Sequence, residues 1–184
     1  ILDTIASSEA EVAPGSVQLT FAAARYLFKV MAYKDEYEVA RLHTDGKLLR
    51  SIAAQFDGDY QLNFHLAPPI LTRKPASTGH PRKRIFGPWV YRLLSVLARF
   101  KRLRGTWLDV FGYTVERRIE RELRDDYISM LDYIRTHLTA ANLDIAISLA
   151  KLPERIRGFG HVKRQHIERA QGIELDLLSQ FKAA

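Results

Sequence analysis

One stretch limits what this chain can become. From Thr106 to Leu138 the sequence reads TWLDVFGYTVERRIERELRDDYISMLDYIRTHL. Within it Val115, Ile119, Leu123, Tyr127, Met130, Ile134 and Leu138 recur at steps of three and four, one face of an α-helix. Thr114 stands where an N-cap belongs, able to accept an N–H bond that the first turn leaves free. Roughly 25 helical residues at about 1.5 Å each make a rod of about 37 Å, enough to cross a domain of this size. The opposite face carries Glu116, Arg117, Arg118, Glu120, Arg121, Glu122, Arg124, Asp125 and Asp126. That face reads as solvated, or as docked on another domain, with Glu120–Arg124 and Arg118–Glu122 as i,i+4 pairs. The fold class expected is mainly α (α+β), a helical domain arranged around this one amphipathic helix.

The remaining segments supply its partners. Residues 1–14 are polar, small and aperiodic up to Pro14-Gly15 and read as a loose leader. Residues 15–184 read as a single helical domain. Ser16 is placed to cap a helix burying Val17, Phe21, Ala24, Phe28 and Met31, with no breaker before YKDEYEVARL (33–42). A further helix presents Leu48, Leu49, Ile52, Ala53 and Phe56 and ends near Gly58. In YQLNFHL (60–66) the period falls to two, the mark of a half-buried strand. ILTRK (70–74) and RKRIF (82–86) are short extended candidates on either side of PASTGHP, so a small antiparallel β element is expected near residues 60–86. Gly87-Pro88 restarts the helical pattern with Val90, Leu93, Leu94, Leu97 and Phe100 inward. Thr139 is placed to cap a helix over Leu143, Ala146, Ile147 and Ala150, broken by Pro153. A last helix from about Val162 places Ile167, Ala170, Ile173, Leu177 and Phe181 on one side, with Gly172 as a weak point.

Composition narrows the chemistry. With no cysteine there is no disulfide and no thiolate for a metal or an iron–sulfur cluster. That usage suits a reducing, cytoplasmic setting. No apolar run approaches the roughly 20 residues of a membrane span. The first residue is Ile1 and the opening turn carries Asp3, so the start reads as a cut inside a longer protein rather than a signal peptide. The net charge of +7 is concentrated: Tyr60 to Leu108 holds ten bases and no acid. Arg82, Lys83 and Arg84 form its densest run and a candidate docking surface for an anionic partner. Nucleic acid is one such partner, with Phe86, Trp89, Tyr91, Phe100 and Trp107 as stacking platforms. These aromatics occupy apolar helical or turn positions, where packing is the ordinary role, and no nucleic-acid motif accompanies them.

The most site-like stretch is RIRGFGHVKR (155–164). Two glycines free the backbone ahead of a helix start, and cations crowd around it, which is the chemistry of anion binding. The candidate residues are Arg155, Arg157, Gly158, Gly160, His161, Lys163 and Arg164. The stretch lacks GxxxxGK[ST] and GxGxxG, so a packed interhelix turn is the competing reading. The six histidines are scattered with no HExxH, no serine sits in GxSxG, and Asp125-Asp126 beside Glu122 read as a solvated face. No catalytic, cofactor-binding or metal-ligating residue is assigned.

Five blocks, FKVMAYKDEYEVARLHTDG (28–46), FHLAPPIL (64–71), FGPW (86–89), LRGTWLDVFGYTVERRIERELRDDY (103–127) and LPERIRGFGHVK (152–163), run in order along the chain. Together they resemble the C-terminal region of the fused indolepyruvate ferredoxin oxidoreductases, itself a domain of unknown function. The resemblance spans about residues 27–166. It implies a parent enzyme, a homodimer, that oxidatively decarboxylates 2-oxo acids such as arylpyruvates to acyl-CoA. That parent uses thiamine diphosphate, Mg and iron–sulfur clusters and passes electrons to ferredoxin. This chain lacks the family's GDG…N segment and any cysteine, so no cofactor is expected on it. The resemblance therefore implies a non-catalytic accessory domain that packs on other domains of the same polypeptide or on the dimer partner. The alternatives are an anion-binding module for CoA phosphates, or a docking surface for acidic ferredoxin.

Overall fold

A computed structural model describes residues 1–33, 35–66, 84–158 and 160–184. Among these the chain is mostly helical, with eight α-helices and one two-stranded antiparallel sheet. The helices are α1 (Leu2–Val12), α2 (Gln18–Met31), α3 (Glu36–Thr44), α4 (Lys47–Ala53), α5 (Val90–Arg99), α6 (Val115–Thr136), α7 (Leu143–Ala150) and α8 (Gly160–Ala183). The strands are β1 (Phe64–Leu66) and β2 (Arg84–Phe86), in register Phe64 with Phe86, His65 with Ile85 and Leu66 with Arg84. Short 3-10 turns cover Phe100–Leu103 and Leu152–Arg155. The chain divides into two compact units, residues 1–33 with 114–184, and residues 34–113.

The first unit is organised around α6, as the apolar spacing predicts. Thr114 caps it, its hydroxyl accepting from the Arg117 amide at 3.3 Å. Tyr127, Met130, Leu131 and Ile134 are buried against Leu19, Ala23, Leu27, Leu149 and Phe181 of the surrounding helices. The Tyr127 hydroxyl donates to the Ala150 carbonyl at 2.7 Å, so its burial leaves no polar atom orphaned. Val115, at the head of the apolar row, is exposed instead. Arg117, expected on the charged face, is buried with its guanidinium 4.8 Å from the centre of the Tyr33 ring. The expected Glu120–Arg124 pair is replaced: Glu120 binds Lys163 and Arg124 binds Asp125.

Residues 2–12 are a helix rather than a loose leader. The reason is one side chain. Glu9 is fully buried, and its two oxygens accept from the Leu19 and Thr20 amides at 2.9 and 2.8 Å and from the Ser16 and Thr20 hydroxyls at 2.7 Å each. It therefore satisfies the free N–H groups that open α2, the task the sequence assigns to Ser16. Burial pushes its carboxyl up, but these hydrogen bonds outweigh that and hold it below the ordinary glutamate value.

The inward face of α2 also differs from expectation. Leu19, Ala22, Ala23, Tyr26, Leu27 and Val30 are buried, whereas Val17, Phe21, Phe28 and Met31 are 52 to 74% exposed. The helix carries two apolar stripes on opposite sides, and the one with paired small residues is chosen because Ala22 and Ala23 admit neighbouring helices closely. It ends at Met31 instead of continuing, since Asp35 starts α3 by accepting from the Tyr37 amide at 2.9 Å. Asn142 rather than Thr139 stands at the head of α7. Thr139 and Asn142 exchange hydrogen bonds, the Thr139 amide donating to Asn142 Oδ1 at 2.8 Å and the Asn142 amide to Thr139 Oγ1 at 3.2 Å. Helix α8 runs through Gly172 without a break.

The second unit packs α3 on α5 around Ala40, Phe64, Val90 and Leu94, with Leu62, Leu66, Phe86 and Tyr91 at its edge. Leu93 and Phe100, expected inward, point to solvent, as does Phe56 beyond α4. ILTRK (70–74), PASTGHP and the first two residues of RKRIF lie outside the described residues.

Candidate functional site

The glycine-punctuated turn brings together part of the expected anion site. Gly158 (φ +85°) and Gly160 (φ +56°) take left-handed backbone, and a Cβ on Gly158 would stand 3.0 Å from Val162 Cγ1, so glycine is needed there. The cations around it are engaged by the protein itself. Lys163 Nζ lies 2.6 Å from both carboxylate oxygens of Glu120. Arg157 Nε donates to the Glu154 carbonyl at 3.1 Å, and the His166 ring lies 2.8 Å from the Arg157 carbonyl. Arg155, His161 and Arg164 are exposed around this frame.

Sequence reasoning missed the residues that hold the turn from below. Lys29 of α2 donates to the Pro153 and Glu154 carbonyls at 2.6 and 3.3 Å, taking up acceptors at the end of the 3-10 turn. The Tyr26 hydroxyl donates to Glu154 Oε2 at 2.8 Å. That bond, with the Arg157, Arg25 and Lys29 charges, outweighs the effect of desolvation and holds the Glu154 carboxyl below its ordinary value. Burial, and next the neighbouring Arg157 charge, push the Lys29 ammonium down. Two acids and their cations thus close on each other, and the arrangement fastens α8 and the 152–158 turn to α2 and α6. Lys29 sits more than 120 residues from its partners, so no local signal in the sequence marks this contact.

The second unit has its own buried carboxylate, also unassigned from sequence. Asp109 accepts from the Gly105 amide at 2.9 Å, the Gly112 amide at 3.0 Å and the Tyr37 hydroxyl at 3.2 Å. Burial pushes Asp109 up, yet these donors together hold it below the ordinary aspartate value. The Tyr37 phenol is pushed up to about 12 by burial and by the Asp109 charge. Its ring meets Phe111 edge-on at 5.2 Å. Asp35 pairs with Arg104 at 3.0 Å, and Glu38 with Arg41 and Lys101 at 2.6 and 2.8 Å. Each donor here answers an acceptor within the unit. The group is a knot that shapes the 105–112 loop.

Of the docking candidates, Arg82 and Lys83 lie outside the described residues, and Arg84 is exposed on β2. A recess of about 50 Å³ in the first unit is lined by Leu123, Tyr127, Met130, Leu152, Asp126 and Glu174 among others. Ligand pockets run to roughly 300–1,000 Å³, so it suits a water or two at most. Among the described residues no group of three His, Asp or Glu side chains is close enough to hold a metal, and no helix is long and apolar enough to cross a membrane.

The fold and its buried knots define a helical module held by internal polar staples, with apolar stripes left on its surface. The chain belongs to a family of unknown function, DUF6537, whose profile covers residues 1–174. No curated protein and no solved structure matches it.

Proposed function

We propose that this chain is a non-catalytic accessory module of a larger, cytoplasmic, thiamine diphosphate-dependent 2-oxoacid:ferredoxin oxidoreductase of the indolepyruvate type. Its role is to pack through α2 against the catalytic domains or the dimer partner. The parent enzyme's identity rests on the resemblance of the five sequence blocks. The packing role rests on one observation: Val17, Phe21, Ala24, Phe28 and Met31 repeat at steps of four and three along one side of α2, and four of them are more than half exposed. A stripe of this spacing is what one helix offers another. The engagement of Lys163 and Arg157 by Glu120 and Glu154 favours packing over capture of CoA phosphates.

The test mixes the chain with the remaining domains of an indolepyruvate ferredoxin oxidoreductase that naturally carries this region, made separately. Light scattering after size exclusion should show a complex. Phe21→Asp with Phe28→Asp should abolish it while leaving the thermal melt of the chain unchanged. Failure of the wild-type chain to associate, or association that survives both substitutions, overturns the reading. So does tight calorimetric binding of Mg-thiamine diphosphate to the chain alone.

A further inference from the structure

Helix α5 carries a second outward stripe, on the other unit and with a different chemistry. Trp89, Leu93, Val96 and Phe100 are 60, 58, 48 and 49% exposed. They follow one another at steps of four, three and four. At about 100° per residue they fall within a band of roughly 60°, one side chain wide. Val90 and Leu94, to one side of the stripe, are buried in the unit's own core, so the helix is already anchored when the stripe faces solvent. Four large apolar groups in a row carry an exposure cost that a monomer gains nothing from.

The charge beside this stripe is one-sided. Arg92 and Arg99 lie seven residues apart along one edge, and Arg102 follows in the 3-10 turn. Nearby Lys101 and Arg104 are paired with Glu38 and Asp35. Arg92, Arg99 and Arg102 have no ion-pair partner among the described residues. The sequence from Tyr60 to Leu108 holds no acid that could serve.

We propose that this seam of α5 docks an acidic amphipathic helix of a partner protein, one whose apolar row is edged by glutamate or aspartate. In heptad terms Trp89 and Val96 take the d positions, Leu93 and Phe100 the a positions, and Arg92 and Arg99 the g positions. The e positions are Val90 and Leu97, both turned to the unit's own core. A second copy of this chain fits poorly. Antiparallel pairing sets arginine against arginine, and parallel pairing sets arginine against the occupied Val90 and Leu97. A lipid surface fits poorly too, because helices that lie in a membrane interface bury a broad apolar face and this one is a single row wide. An acidic helix meets both features: apolar contact along the seam, and carboxylates opposite the two arginines. This inference stands on α5 alone and does not depend on the accessory-module reading.

The test titrates the whole 184-residue chain into two labelled synthetic three-heptad peptides, followed by fluorescence anisotropy. Both carry leucine along the seam; one has glutamate and the other lysine on its flanks. The glutamate peptide should bind at least about 10-fold more tightly, and high salt should narrow the difference. Arg92→Glu with Arg99→Glu should reverse the preference, and Leu93→Ser with Val96→Ser should remove binding of both, each with an unchanged circular dichroism spectrum. Absence of binding, equal binding of the two peptides, or a preference that survives the double reversal overturns the proposal. Two further results overturn it in favour of another occupant. One is tighter binding to phosphatidylserine vesicles that the Leu93/Val96 variant loses. The other is a concentration-dependent dimer that the same variant dissolves.

Discussion

Glu9 and Asp109 do the same job in the two units, and each is sensitive to the loss of a single atom. Glu9→Gln keeps the size of the side chain but removes the charge and turns one acceptor into a donor facing amide N–H groups. The expected cost is about 2 kcal/mol, visible as a lower denaturation midpoint with an unchanged slope. Gly112 is the tight point of the other knot, where an added Cβ would stand 2.9 Å from Asp109 Oδ2 and 3.2 Å from its carbonyl oxygen. Gly112→Ala should therefore displace the carboxylate and lower the thermal midpoint, and it should do so less in an Asp109→Asn background, where the loop is already loosened. Glu174 runs the other way: burial, and then the Asp126 charge, push its carboxyl up. A raised carboxyl contributes stability at low pH that is lost as pH rises through its folded value. Glu174→Gln should thus stabilise the fold at neutral pH by a small amount, about 0.5 kcal/mol after solvent screening, seen as a higher thermal midpoint, and have no effect in acid.

Helices α2 and α5 each have apolar residues on two sides, and this decides what the sequence could tell. The spacing of α6 identifies its buried face because the other side is charged throughout; Tyr127, Met130 and Ile134 are inward as their period requires. In α2 the Val17–Phe21–Phe28–Met31 row has larger side chains than the Ala22–Ala23–Tyr26 row, yet the small residues are buried because helix packing rewards close approach over bulk. Periodicity names the stripes and cannot rank them. The same ambiguity put Leu93 and Phe100 inward. Leader-like composition hid α1, since its one polar anchor, Glu9, looks in sequence like any surface acid. The consequence can be measured. Leu19→Ala should cost about 2–5 kcal/mol, while Phe21→Ser with Phe28→Ser should leave stability within about 0.5 kcal/mol and improve solubility. Of the candidate anion site, the glycines and the turn were legible from their spacing. The carboxylates that neutralise it, Glu120 and Glu154, were not, because nothing local distinguishes them from their neighbours.

For the molecule as a whole the depressed carboxylates set the acid limit. Glu9, Asp109 and Glu154 are held below their ordinary values, and Glu38 is held down to about 2 by its bonds to Arg41 and Lys101. A depressed carboxyl contributes stability above its unfolded value and loses it as pH falls through its folded one. Stability should therefore be flat near neutrality and decline between about pH 4.5 and about 2, checked by thermal melts across that range. Because Glu9 and Glu154 belong to one unit and Asp109 and Glu38 to the other, an Asp109→Asn variant should shift only part of the acid transition.

The first unit is written in two pieces, residues 1–33 and 114–184, with the second unit between them. A ribosome therefore makes the whole of the second unit before α6, α7 or α8. Until those arrive, the only helix of residues 1–33 packed beside Leu19, Ala23, Leu27 and Val30 is α1. The inner face of α2 thus waits for partners that the chain supplies only after the insertion has been made.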